Sequence, residues 1–332
     1  MKKLNVVLST ILLNVCLAAQ AYDFEAENMY FNIVSLEDLT CEVTYGDINL
    51  SGDIVIPSHV VYKGRTLTVV GMAAYALGQE VTSVKIPSTI VTIKDNAFHG
   101  CGKLKHIELE DGNEPVKPGR TAISGNTISY RGMFCYCPIE TMYIGRNIEI
   151  TSSHAPFSNT IYPSSLKNVT LGPTVTSISC TMFHNCSGLN SLTVLGNLQT
   201  VNSSAFYNTA LSEITLGSGV TRIPFSEINY TKTILKIISM NATPPVIFTQ
   251  NFSNNQYINA TVLVPPAALT DYQNANIWKD FWNIQGDEST GIETVKTDGR
   301  ESAPEYIDLQ GRKYNHPVKG INIVGGKKVV CP

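Results

Sequence analysis

Val81-Thr82-Ser83-Val84-Lys85-Ile86-Pro87-Ser88-Thr89-Ile90-Val91-Thr92-Ile93 and Leu166-Lys167-Asn168-Val169-Thr170-Leu171-Gly172-Pro173-Thr174-Val175-Thr176-Ser177-Ile178 put their apolar residues in nearly the same slots. The register continues in Leu189-Asn190-Ser191-Leu192-Thr193-Val194 and in Leu211-Ser212-Glu213-Ile214-Thr215-Leu216. Aromatic residues recur between these segments, at Phe98, Phe134, Phe157, Phe183 and Phe206. Phe134 to Phe157 and Phe183 to Phe206 are each 23 residues apart, the step that also separates Ile86 from Leu109 and Leu171 from Val194. A chain that repeats itself at a fixed step must be read as an array first, because the repeat decides where every other residue lies.

That step falls within the about 20 to 29 residues of leucine-rich repeats. One unit has only a few aliphatic and aromatic side chains to bury, and their burial cannot offset the entropy of ordering the whole unit. Neighbouring units must share faces and pair backbones, which makes a quasi-one-dimensional solenoid. The fold class expected is therefore a β-rich leucine-rich-repeat solenoid of about 23-residue units; the flanks, by the resemblance described below, add β caps and a small C-terminal β domain.

Three residues after the aromatic stand Cys101, Cys137 and Cys186, with Thr160 and Thr209 in the same slot of two other units. A small, weakly polar side chain recurring once per unit reads as a buried stacked ladder. A metal site would need its ligands to converge within one sphere, so no metal is expected. One residue after the aromatic stand His99, Cys135, Ser158, His184 and Tyr207. That slot is expected to face solvent. His59, His106, His154 and His316 have no partner at a ligand or triad spacing.

The pattern L-x-x-[IV]-x-[IVL]-[PG], a [VI]-T-x-I segment and A-F-x-x-C-x-x-L resembles the BspA-type leucine-rich repeats of bacterial surface proteins. Ile93-Lys94-Asp95-Asn96-Ala97-Phe98-His99-Gly100-Cys101-Gly102-Lys103-Leu104 carries it most closely. The likeness spans residues 50–286, and extra residues interrupt the register over 110–131 and 145–166. Pro224-Phe225 stands where a turn is expected. Tyr30-Phe31-Asn32-Ile33 and Cys41-Glu42-Val43-Thr44-Tyr45 resemble the family's N-terminal cap of two short strands. Ala242-Thr243-Pro244-Pro245, Ala260-Thr261-Val262-Leu263-Val264-Pro265 and Trp278-Lys279-Asp280-Phe281-Trp282-Asn283-Ile284 resemble its closing unit, in which both Trp residues are expected to plug the open end of the core. Tyr306-Ile307-Asp308-Leu309-Gln310-Gly311-Arg312 and the Gly-punctuated run over 317–330 are similar to the C-terminal sorting-type domain of exported Bacteroidetes proteins.

Lys2 and Lys3 precede an apolar run from Leu4 to Leu17, and Ala19-Gln20-Ala21 supplies a small-x-small cleavage pattern. This is the layout of a secretory signal peptide. A lipoprotein signal does not fit, since Cys16 follows Val15. The organisation expected is a signal peptide (1–21), an N-terminal β cap with a first degenerate repeat (22–80), the solenoid (81–240), a capping unit (241–286), a polar linker (287–303) and a small β domain (304–332). No later segment is long and apolar enough to span a bilayer, so the protein is expected at the cell surface or outside the cell, with the periplasm as the other destination. Seven of the 8 cysteines lie beyond Ala21, an odd number that argues against a dense disulfide framework.

The 332 residues hold 24 basic and 27 acidic side chains, a net charge of −3. That gives no electrostatic footprint for nucleic acid. Charged residues reach only 15% against about 25% in typical chains, so the surface leans on Ser, Thr and Asn. Catalytic and cofactor signatures are absent: no G-x-S-x-G, no H-E-x-x-H, no phosphate loop, no dinucleotide glycine set. No cofactor is expected. Glu108, Glu110, Asp111 and Glu114 form one dense acidic cluster, which carboxylate chemistry could in principle use and which reads more simply as a solvated rim.

In each repeat strand the residue between two inward aliphatics must face outward. Those residues are Lys85, Glu108, Tyr143, Thr170, Thr193 and Thr215. Stacked, they form a stripe with mixed charge at one end and threonine at the other. Solenoids bind macromolecules with such surfaces. The expectation is an exported, non-catalytic binding protein, and the family resemblance implies adhesion to a host or microbial surface protein or glycan. The alternatives are a hydrolase or polysaccharide-utilisation component with its site in the insertions, and a structural envelope protein.

Overall fold

The structure is a computed structural model. It describes residues 22–46, 50–123, 129–150, 156–157, 161–179, 181–202, 204–229, 233–249 and 252–290, with the backbone of four strands between 306 and 331. The leader over 1–21, most of the linker, Ser158, Thr160, Cys180, His154 and His316 lie outside the described residues.

Ten short strands form one parallel sheet in which spatial order follows chain order. They are Ser51–Val55, Glu80–Ile86, His106–Leu109, Thr141–Ile144, Asn168–Leu171, Ser191–Val194, Glu213–Leu216, Lys236–Ser239, Thr261–Val264 and Asn283–Gly286, called rungs one to ten below. From rung three to rung six the pattern is the same. Two aliphatics per strand point inward (Ile107 and Leu109, Met142 and Ile144, Val169 and Leu171, Leu192 and Val194) and all are buried. Strand periodicity then leaves the residue between them on the outer face.

The opposite wall is thinner. Thr92–Ile93 joins the Arg65–Met72 strand, Ser177–Ile178 pairs Thr200–Val201, and Arg222–Pro224 pairs Val246–Thr249, all in parallel. Between the walls runs the aromatic column. Phe98, Phe134, Phe157, Phe183 and Phe206 are all buried, and successive ring centroids lie 4.9, 5.3, 6.1 and 5.3 Å apart. Ring pairs at these separations add attraction beyond the area they bury. The 23-residue step has thus become physical contact between neighbouring coils.

Cys101, Cys137, Cys186 and Thr209 lie beneath this column, all buried. The Cys137 thiol points to the Phe98 carbonyl of the preceding coil at 3.5 Å, and the Thr209 hydroxyl donates to the Phe206 carbonyl at 2.9 Å. The residue just before the ladder slot adopts a left-handed backbone in three coils: Gly100 (φ 88°), Asn185 (φ 63°) and Asn208 (φ 55°). Glycine and asparagine are the residues that tolerate it. Close stacking sets a second requirement. A Cβ on Gly145 would sit 2.4 Å from the Asp111 nitrogen of the neighbouring coil.

The slot after the aromatic is not uniformly solvent-facing. His99 and Tyr207 are exposed, but Cys135 is buried. The antiparallel hairpin Arg120–Ile123 and Ser129–Gly132, formed by the first insertion, lies next to it, and Thr121 of that hairpin hydrogen-bonds its thiol. Burial raises the Cys135 thiol above its ordinary value, with that hydrogen bond working the other way. Tyr136 takes the ring position instead, edge-on to His99 at 5.8 Å.

Both ends are closed by irregular elements. At the start, Phe24–Ala26, Met29–Ser35 and Thr40–Thr44 form an antiparallel unit, three strands where two were expected, and Thr40–Thr44 runs parallel to Arg65–Met72. At the far end, Trp278 is buried and donates from its ring N–H to the Pro245 carbonyl at 2.8 Å. Tyr272 packs edge-on against it. Trp282 does not share this role. It is 77% exposed, which corrects the expectation that both indoles plug the core. Their places explain the difference: Trp278 opens the turn that folds under the last coil, whereas Trp282 directly precedes rung ten. Where a turn was expected, Phe225–Ile228 forms one helical turn and Phe225 packs on Phe252 at 4.8 Å.

The C-terminal strands Tyr306–Asp308, Lys313–Tyr314, Gly320–Val324 and Lys327–Cys331 form their own four-stranded antiparallel sheet.

Candidate functional site: the outer row of the long sheet

Strand register brings the six expected residues together. Lys85 lies opposite Glu108, Glu108 opposite Tyr143, Tyr143 opposite Thr170, Thr170 opposite Thr193, and Thr193 opposite Thr215. The row extends beyond them at both ends. Val55 precedes Lys85, and Ile238, Leu263 and Gln285 follow Thr215. Ten residues at the spacing of paired strands make a row about 43 Å long.

Three chemistries succeed one another along it. At the first third the Lys85 ammonium touches Glu108 at 2.8 Å and Glu110 at 3.3 Å. Partial burial disfavours the charged lysine, but the hydrogen bonds and charges of Glu108 and Glu110 outweigh it, so its pKa is raised. Glu110 also accepts the Ser88 backbone N–H at 3.2 Å. The Tyr143 hydroxyl donates to Asp111 at 2.6 Å; burial, then that hydrogen bond, pushes its pKa well up. Three members of the acidic cluster are therefore engaged in the structure around the row. Glu114 is exposed.

The middle third is the threonine run. Thr170 and Thr193 are half-buried and Thr215 is only 9% exposed. Beyond it Ile238 and Leu263 are apolar and half-buried, and exposed Gln285 ends the row. A parallel row of polar residues runs beside it. His106 meets Thr141 at 2.8 Å, Lys236 pairs with Glu213 at 2.8 Å, and Asn283 donates to Thr261 at 2.8 Å. Sequence reading stopped at Thr215 because Pro224-Phe225 obscured the register; the pairing of Ile237 with Ile214 restores it.

One further residue escaped notice. Arg146 follows rung four and is fully buried. Its guanidinium donates to the carbonyl of Pro87 at 2.9 Å, of Ile90 at 2.9 Å, and of Ser88. Burial lowers its pKa, and the charge of Glu110 works against that shift. It ties rung four to the turn after rung two, across the coil that carries the first insertion, and so holds the floor beneath Glu110. A lone arginine after a strand gives no sequence signal for this, since its partners lie 56 to 59 residues away.

Among the described residues no three His, Cys, Asp or Glu side chains converge as metal ligands. Among those residues, too, no helix is long and apolar enough to cross a membrane.

Solved structures to which the chain is similar include a leucine rich cell surface protein from Faecalibacterium prausnitzii (21% identity, TM-score 0.38, 74% of this chain and 71% of that chain covered). Others are the leucine rich repeat protein of T. pallidum (18%, 0.36, 73% and 86%) and a leucine-rich repeat protein from Bacteroides ovatus (17%, 0.33, 82% and 78%). No curated protein matches the chain. Residues 59–119 and 157–266, more than half of the chain, match the family described as BspA type leucine rich repeat region, in 6 copies. With its coils, phenylalanine column and cysteine ladder in the register that the repeat demands, the chain belongs to the BspA-type leucine-rich-repeat family.

Proposed function

We propose that this is an exported, non-catalytic binding protein that holds a macromolecule along the outer row of the long sheet, and that its task is adhesion. The observation that carries the reading is the unbroken register from Lys85 through Glu108, Tyr143, Thr170 and Thr193 to Thr215. A rigid sheet spends little entropy on ordering its contact residues, so many weak polar contacts can add up. The partner is a surface protein or a glycan of host or microbial origin. The Faecalibacterium protein is described as a cell surface protein, in keeping with such a location. Residues 1–21 would direct export. Residues 304–332 would serve as a sorting-type module of the Bacteroidetes kind, joined by a linker over 287–303 to a capped solenoid over 22–286.

The test is to screen the purified protein on glycan and matrix-protein arrays. Saturable binding is expected, weakened at least about tenfold by Lys85→Ala, Tyr143→Ala and Thr193→Ala together, with the fold intact by circular dichroism. Binding unchanged by this triple variant would contradict the reading. Turnover of a glycan or peptide that Glu108→Gln or Glu110→Gln abolishes would favour a hydrolase. Localising the protein with and without residues 304–332 tests the sorting role: retention at the surface after deletion would refute it.

A further inference from the structure

Between Lys167 and Glu213 the chain carries no Lys, Arg, Asp or Glu. Other coils are joined by ion pairs such as Lys103–Glu80, Lys105–Glu140 and Arg120–Asp95. The coils of this stretch meet without a carboxylate, an amine or a guanidinium. The turns over 181–186 and 204–209 stand here one above the other. Phe183 N–H donates to the Ala205 carbonyl and Asn185 N–H to the Tyr207 carbonyl, both at 2.9 Å.

With the two backbones tied, matching side chains fall side by side. The His184 ring stacks on the Tyr207 ring, with centroids 4.9 Å and planes 20° apart. Next to the rings, the Asn208 side-chain amide donates to the Asn185 side-chain oxygen at 3.0 Å. Tyr207 and both asparagines are exposed, and His184 is half-buried. The fold asks for less. The slot of Asn185 and Asn208 needs only a residue that accepts a left-handed backbone, which Gly100 supplies in an earlier coil with no side chain. The amide pair is therefore surplus to the stack. Each side-chain amide has two donor hydrogens and an oxygen with two lone pairs, and the bond between the two asparagines uses one donor and one lone pair.

We propose that His184, Tyr207, Asn185 and Asn208 form a subsite for a neutral saccharide, one pyranose of an uncharged glycan. The C–H groups of a pyranose are attracted to aromatic rings, whose faces carry negative charge density. Its hydroxyls both donate and accept, so they replace the water on the amides and leave no group unpaired. An apolar protein surface laid on the same amides would strand them, at a cost. Nucleic acids, anionic lipids and sulfated chains are held by Lys and Arg, which this stretch lacks. Tyrosine beside asparagine combines rigid contact area with adaptable hydrogen bonding. Two rings and two amides make few contacts, so one sugar binds weakly and a longer chain gains by re-engaging the subsite. The subsite lies on the turns, apart from the outer row of the long sheet, and stands independently of the reading given for that row.

NMR titration of the isotopically labelled full chain with mannotetraose, laminaritetraose and cellotetraose tests this. Saturable shifts are expected at the side-chain amides of Asn185 and Asn208 and at the Tyr207 ring with at least one of these neutral sugars, and none with a heparin tetrasaccharide. Asn185→Gly with Asn208→Gly keeps residues suited to the left-handed backbone, and Tyr207→Ser installs the residue type that Ser158 supplies in an earlier unit. Each variant is expected to weaken binding at least about tenfold at an unchanged melting temperature, and the wild-type shifts decide the question where a variant is destabilised. The triple variant Lys85→Ala, Tyr143→Ala and Thr193→Ala is expected to bind these sugars as the wild type does. No shift at the subsite with any of the three neutral sugars overturns the proposal. So does equal binding of the heparin tetrasaccharide, binding indifferent to both subsite variants, or shifts lost in the outer-row triple variant.

Discussion

Cys101, Cys137 and Cys186 show how one residue type serves the stack. Burial raises the thiols of Cys101 and Cys186 from the ordinary value near 9 to about 12, and that of Cys137 well above the ordinary value. The thiolate is the reactive form, so these side chains are packing atoms and not reagents. Their linkage to folding has a definite sign. The unfolded chain loses these protons near pH 9 and the native chain holds them until about 12, so stability is full below about 9 and falls through that window. Urea unfolding at rising alkaline pH should show this fall, and a variant with Cys101→Ala and Cys186→Ala should show a shallower one. Native Cys101 and Cys186 that react quickly with a thiol reagent at neutral pH, read by mass spectrometry, would contradict the burial. Arg146 gives the second prediction at this scale. Arg146→Met takes the side-chain donor from the carbonyls of Ser88 and Ile90 and leaves that of Pro87 with only the Ile90 N–H, at a cost of about 3 kcal/mol. A loss under about 1 kcal/mol in the same assay would mean that those carbonyls find other partners.

Among the elements, the thin wall depends on a device that the strands of the long sheet do not need. Asn147 and Asn197 each stand three residues after the end of their rung. The Asn147 side-chain oxygen accepts the N–H groups of Thr176 and Ser177 at 3.0 and 3.1 Å, and that of Asn197 accepts those of Thr221 and Arg222 at 2.7 and 3.2 Å. Each asparagine thus starts the next coil's short strand. Asn197→Ala should cost about 1 to 2 kcal/mol and loosen Arg222–Pro224 first, visible as faster amide exchange there than in rung seven. Equal protection in both would show that the short strand needs no clamp.

The same comparison shows what was legible in advance. The long sheet is legible in the sequence because its side chains alternate and repeat at one step, which puts Lys85 through Thr215 in one row. The phenylalanine column and the cysteine ladder were legible for the same reason. Cys135 was misplaced because the hairpin beside it comes from an insertion that has no counterpart in other coils. Trp278 and Trp282 looked alike because they lie four residues apart, and only the turn geometry separates them. That turn puts Ile277 at φ 71°, an uncommon state for a β-branched residue, which no pattern announces.

At the scale of the whole molecule, each coil lacks an interior of its own. In the described residues Lys85–Glu108, Lys103–Glu80, Lys105–Glu140, Arg120–Asp95 and Lys236–Glu213 all join one coil to the next, as the phenylalanine rings do within. Such an array is a sum of units and nearest-neighbour contacts. Exposed ion pairs like these contribute little each, so the coupling between coils must come mainly from the core. A double-mutant cycle tests this directly. Phe183→Leu and Phe206→Leu remove neighbouring rings 5.3 Å apart, while Phe98 lies several coils from Phe206. The pair Phe183 and Phe206 should show a coupling above about 0.5 kcal/mol in urea unfolding, and Phe98 with Phe206 should be additive. Additivity in the neighbouring pair would mean that the coils do not complete one another, and the account would fail at its base.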